Sequence, residues 1–135
     1  MPALDTNVLV RHIVEDDMAQ LAAARRLFKR CLHEGLTLYV PVTVVLELEW
    51  VLRKSYGFEK DDVLRVLSNL FSAVELVFES ERALESALQL YREGSADFAD
   101  CLHTCLAAQA GEQPLWTFDK DAAKVSGARL ILNLT

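Results

Sequence analysis

A chain of 135 residues with 25% charged and 52% hydrophobic side chains has the balance of one globular domain, which excludes a disordered segment, and it can bury a core without disulfide or metal staples. Its 20 acidic and 14 basic residues give a net charge of −6. That excludes a protein holding nucleic acid through a broad basic surface, but not an enzyme whose bound cations face phosphates. No apolar run approaches the ~20 residues of a membrane span, and no basic stretch leads into an apolar one near Met1. The expected protein is soluble and cytoplasmic, without a membrane partner.

In chain order, residues 2–4 read as a short first strand. From about 17 to 34, Leu21, Ala24, Phe28, Cys31 and Leu32 fall on one helical face. Residues 36–40 form a second strand, and Thr43 can cap a helix running to about 54. Residues 61–71 are helical, with an apolar stripe of Val63, Val66, Leu67 and Leu70, and 74–78 form a third strand. Ser80 can cap the next helix, whose stripe is Leu84, Ala87, Leu88 and Tyr91. A helix from about 97 to 110, a strand at 115–118, a short helix near 121–125 and a strand at 129–134 complete the pattern. Gly35, Gly57, Gly94, Gly111 and Gly127 each follow a helix-like segment, where a left-handed cap favours glycine. Alternating strands and helices without linker or repeat imply a single α/β domain over 1–135, a three-layer sandwich around a mostly parallel sheet.

Cys31, Cys101 and Cys105 are an odd set without a leader segment, which argues for reduced thiols. Cys101-x-His103-x-Cys105 has the look of a zinc motif. On a helix, however, His103 points away from the two cysteines and no second ligand pair exists, so the cysteines are expected to be small buried hydrophobes.

Ligands of open parallel sheets bind beyond the carboxyl ends of the strands. Asp5 follows the first strand immediately, and Glu47 lies one turn into the helix after the second. Asp100 lies in the first turn of the helix leading into the fourth strand, and Asp119 follows that strand. Four acids are thus expected at one sheet edge. For Asp97, Asp100 and Asp121, capping of a helix start is the competing explanation. Glu47 sits in a helix apolar nearly all round, so it is expected to be buried, with Glu49 on a solvated face. Four carboxylates without neighbouring Arg or Lys repel unless a hard cation neutralises them. Oxygen-only ligation suits Mg²⁺ or Mn²⁺, and such a centre serves phosphodiester hydrolysis.

Asp5-Thr6-Asn7 at a strand end, Glu47 in an apolar helix, Asp97-Phe98-Ala99-Asp100 opening a helix and Trp116-Thr117-Phe118-Asp119-Lys120-Asp121 after a strand together resemble PIN domains. Within these the chain is most similar to VapC-type toxins of bacterial toxin–antitoxin pairs, over its whole length. The resemblance implies five strands in the order 3-2-1-4-5, and Asp5, Glu47, Asp100 and Asp119 as the catalytic acids holding Mg²⁺ or Mn²⁺. It implies that Thr6 and Asn7 orient Asp5 and that Thr117 supplies a hydroxyl near Asp119, with Asp97 and Asp121 as auxiliary acids. It also implies a ribonuclease acting on RNA such as transfer RNA, a homodimer or higher assembly, and a cognate antitoxin protein.

A haloacid-dehalogenase-like phosphatase would need an acid where Asn7 stands. A phosphoacceptor receiver would need an Asp ending the third strand, which runs instead into Glu79-Ser80. A partner-binding module would use apolar faces near Trp50 and Leu52, which are expected in the core. Arg25, Arg26, Lys29 and Arg30 share one side of a helix, a solvated face by default and otherwise an RNA-facing stripe. His103 is expected to pack or support the site and not to act as a base.

Overall fold

Extended backbone ends at Asp5 because its side chain starts a helix: Oδ1 accepts the Thr6 N–H at 2.7 Å, and α1 runs Thr6–Val14. The computed structural model describes residues 1–133, as two compact units, Met1–Glu79 and Ser80–Thr135. Helix α1 is absent from the expected elements. Its β-branched run has no clean helical period, and burial of Leu9 and Val10 with the Asp5 cap decides the matter.

In the first unit Asp17 caps α2 (Met18–His33), accepting the Gln20 N–H at 3.0 Å. Leu21, Ala24 and Cys31 are buried as expected, and the Phe28 ring meets His12 edge-on at 5.0 Å. Leu32 is 70% exposed, one residue and ~100° beyond the buried stripe. Strand β1 (Leu38–Val40) pairs in parallel with β2 (Leu76–Phe78), Tyr39 opposite Val77. Ala3 bridges Tyr39 in parallel, with Leu4 N–H to Tyr39 O at 2.9 Å and Tyr39 N–H to Pro2 O at 2.7 Å. Between the strands, α3 (Val42–Lys54) buries Val44, Val45, Leu48 and Leu52, and α4 (Lys60–Phe71) buries Val63, Leu64, Leu67 and Leu70. Thr43 lies inside α3, not at its cap. Pro41 holds the cap position, and Val42 N–H donates to Glu79 Oε1 at 2.8 Å.

In the second unit α5 (Glu81–Glu93) buries Leu84, Ala87, Leu88 and Tyr91, the expected stripe, and α6 (Phe98–Gln109) buries Phe98, Cys101, Leu102 and Thr104. Ser80 stands at the cap of α5 without a side-chain bond. Strand β3 (Leu115–Thr117) pairs in parallel with β4 (Ala128–Leu130). Gly127 enters β4 at φ +97, where an added Cβ would sit 3.2 Å from Thr104 Cγ2, so only glycine fits. Gly94 departs from the expected left-handed cap: its backbone is extended, φ −121.

The α/β class holds, but the described residues carry four three-residue strands in two two-stranded sheets, not one five-stranded sheet. Pairing preserves the 3-2-1 order in the first unit, with the first strand reduced to the Ala3 bridge, and the 4-5 neighbours in the second. The apolar runs are longer than the ladders because their ends bond elsewhere. Leu36 N–H turns back to Cys31 O at 2.8 Å, and Leu76 N–H closes a turn on Ala73 O at 3.2 Å. The last ladder ends at Leu130 and 131–133 form a 3₁₀ turn; Leu134, the expected strand end, lies outside the described residues. All three cysteines are free, Cys31 and Cys101 buried and Cys105 half-buried, and burial pushes the Cys105 thiol up. Among the described residues no helix is long and apolar enough to cross a membrane.

Candidate active site

Asp5 and Glu47 belong to the first unit, and both are exposed. Thr6, buried with 4% exposure, touches each of them: its backbone N–H donates to Asp5 Oδ1, and its hydroxyl donates to Glu47 Oε1. The N–H thus meets Asp5, the residue Thr6 is expected to orient, while the hydroxyl goes to Glu47, 41 residues away. Asn7 is exposed and lines a groove of about 360 Å³ with Val8, Arg11, Gln20, Ala23, Ala24 and Leu27.

The expected burial of α3 is reversed at its two acids. Glu47 is exposed and Glu49 is 1% exposed. Glu49 lies one residue past buried Leu48 and four past buried Val45, on the inward side of the helix. Its charge is met by Arg53, one turn on, with Nε at 2.5 Å from Oε2 and Nη2 at 3.2 Å from Oε1. Glu49 to Arg53 is the favourable acid-first i,i+4 spacing, so this partner was visible in the sequence. Trp50, expected in the core, is 54% exposed on the opposite side, while Leu52 is fully buried as expected.

In the second unit Asp97 occupies the cap position of α6 through its backbone, Cys101 N–H reaching Asp97 O at 3.1 Å, but its side chain makes no capping bond. Asp100 is half-buried one turn in. Burial raises its carboxyl pKa above the ordinary value, the charges of Asp119 and Asp97 raise it further, and exposed His103 opposes them. Asp119 closes the turn after β3, its Oδ1 accepting Asp121 N–H at 2.8 Å and Ala122 N–H at 3.0 Å. Thr117 Oγ1 accepts the Asp119 N–H at 3.0 Å, so its hydroxyl fixes that acid's backbone. Asp121 Oδ1 is engaged by Ser95 and by Lys124, each at 3.3 Å.

The salt bridges of the described residues include none of Asp5, Glu47, Asp97, Asp100 or Asp119. Among the described residues no group of three or more His, Cys, Asp or Glu side chains is set to hold a metal ion. The donor chemistry nevertheless fits a hard cation, since every candidate ligand is a carboxylate. Arg25, Arg26, Lys29 and Arg30 are all exposed, with Arg25 facing Glu15 at 3.3 Å and Arg30 facing Glu34 at 3.2 Å.

A family model described as PIN domain matches residues 3–128, a span that runs through both units. Among curated proteins the chain is similar to the VapC ribonuclease of Aquifex aeolicus (strain VF5). The two are 25% identical over 125 residues, which cover 93% of this chain and 92% of the relative.

Proposed function

The chain belongs to the PIN-domain family, and from that premise we propose that it is a divalent-metal-dependent endoribonuclease, the toxin of a type II toxin–antitoxin pair. Its substrate is RNA, with transfer RNA as the class implied by the resemblance, and its partners are a second copy of itself and an antitoxin protein in the cytoplasm. The similar VapC ribonuclease supports the reaction class.

Asp5, Glu47, Asp100 and Asp119 are the residues that would hold Mg²⁺ or Mn²⁺. When bound, the cation would supply Lewis-acid stabilisation of the charge that develops on an attacked phosphodiester. Thr117 and the turn at Asp121–Ala122 hold Asp119 in place. Asp97 adds negative charge beside Asp100 and leaves its own side chain out of the helix cap.

One observation carries this reading. Asp100 is a half-buried carboxyl in the field of Asp119 and Asp97, and no basic side chain forms an ion pair with any of the three among the described residues. Such an arrangement loses stability when charged and regains it when a cation binds. The test is RNA cleavage by the purified chain free of other proteins. Cleavage should require Mg²⁺ or Mn²⁺ and stop on chelation; cleavage that continues in excess EDTA would overturn the mechanism.

A further inference from the structure

We propose that Thr6 is a positioning residue that sets the geometry of Asp5 relative to Glu47 and thereby tunes the affinity of the site for its cation. The inference rests on the metal-dependent reading above and deepens it.

Two donors on one residue meet two acids. The Thr6 N–H reaches Asp5 Oδ1 at 2.7 Å, and the Thr6 hydroxyl reaches Glu47 Oε1. Each acid therefore gives one oxygen to Thr6, and among the described residues the second oxygen of each, Asp5 Oδ2 and Glu47 Oε2, accepts no hydrogen bond. Thr6 is well placed to act as a fixed point. It is 4% exposed, it is the first residue of α1, and its β-branched side chain has few rotamers.

Glu47 by contrast is an exposed glutamate with a flexible side chain, and left alone it would sample many orientations. The hydroxyl selects one of them and ties α3 to the start of α1 across 41 residues of sequence. Partners that orient a metal's ligands typically change affinity or activity ~10–100-fold when lost. A neutral donor also leaves the ligand's charge intact for the cation, which a lysine or arginine in the same place would compete for.

Thr6→Val removes the hydroxyl at nearly constant shape and keeps the backbone N–H on Asp5. Thr6→Ser keeps the hydroxyl, and Thr6→Ala is a second deletion in case valine is not tolerated beside the carboxylate. Mn²⁺ binding is read by calorimetry on the whole chain, beside RNA cleavage across a Mn²⁺ titration. Valine and alanine should weaken Mn²⁺ binding about 10-fold and raise the Mn²⁺ needed for half-maximal cleavage in step. The rate at saturating Mn²⁺ should stay within about twofold of wild type, as expected for a residue that orients a ligand without touching substrate. Serine should restore the affinity. In a Glu47→Gln background, Thr6→Val should have no further effect on Mn²⁺ binding.

Wild-type Mn²⁺ affinity in both deletion variants overturns the proposal and leaves the ribonuclease reading standing. So does an equal loss with serine, which would make packing and not the hydroxyl responsible. A wild-type chain that binds no Mn²⁺ overturns both.

Discussion

Asp5 and Glu47 are each engaged by a neutral donor from Thr6, whereas Asp100 sits in the field of Asp119 and Asp97 with no ion-pair partner among the described residues. The first pair is oriented by hydrogen bonds that cost no charge compensation. In the second unit burial first, and then the charges of Asp119 and Asp97, raise the proton affinity of Asp100. The two units thus treat their acids differently, hydrogen bonds orienting Asp5 and Glu47 in the first, and burial with like charge disfavouring ionised Asp100 in the second. Each half can be broken without the other, and α3 supplies the sharpest case because its two acids differ in every respect.

Glu47→Gln should reduce cleavage by upwards of ~100-fold, since partners that merely orient a ligand are already worth ~10–100-fold. Folding should be nearly unchanged, because the side chain is exposed and glutamine still accepts the Thr6 hydroxyl. Glu49→Gln should do the reverse. It removes the charge from a buried carboxylate that two Arg53 bonds satisfy, at a cost of about 2 kcal/mol of stability. Paired denaturant melts and Mn²⁺-dependent cleavage rates check both. If Glu49→Gln abolishes cleavage in a chain that melts normally, the assignment of roles on α3 is wrong.

That pair also marks how far the sequence could be read. Alternating elements, the α5 stripe and the placing of Asp5, Asp100 and Asp119 at element junctions follow from local periodicity, and the structure keeps them. The α/β class was legible for the same reason. Strand length was not, because Leu36 and Leu76 spend their N–H groups on turns that periodicity does not register. Helix α1 was hidden by its Val- and Ile-rich run. Burial on α3 failed because a helix apolar on most sides leaves its inward direction to tertiary packing. There the useful clue was Arg53, spaced to neutralise Glu49 and not Glu47. The Thr6–Glu47 bond joins residues 41 apart, beyond any local signal.

Asp5 tests the first unit at a smaller scale. Its Oδ1 caps α1, and asparagine caps helices about as well as aspartate. Asp5→Asn should therefore melt like wild type in chelator while losing the stabilisation by Mn²⁺ that wild type shows. Asp5→Ala removes the cap as well and should cost about 1 kcal/mol before any metal is added. Melting curves of both variants with EDTA and with titrated Mn²⁺ separate the two duties of the residue. An Asp5→Asn chain that responds fully to Mn²⁺ would remove Asp5 from the site and leave it a helix cap.

The smallest effect belongs to Asp100, whose exposure lets solvent screen much of the repulsion. Burial first, then Asp119 and Asp97, hold its carboxyl above the ordinary value of 3.8. Between that value and the raised one, the native chain binds more protons than the unfolded chain, so stability falls as pH rises through the window. Above the window the penalty is fully present; as pH falls through the folded pKa it disappears. Asp100→Asn never carries the charge. In chelator the variant should therefore melt above wild type at neutral pH, and the gap should close as the solution is acidified through the window. Saturating Mn²⁺ at neutral pH should reverse the order, because wild type gains a ligand that the variant has lost. Melting temperatures of the two chains across a pH series, with EDTA and with Mn²⁺, give all four arms. A gap in chelator that keeps its size down to pH 3.8 would mean that the asparagine acts through packing, and that the acids of the second unit do not repel one another enough to call for a cation.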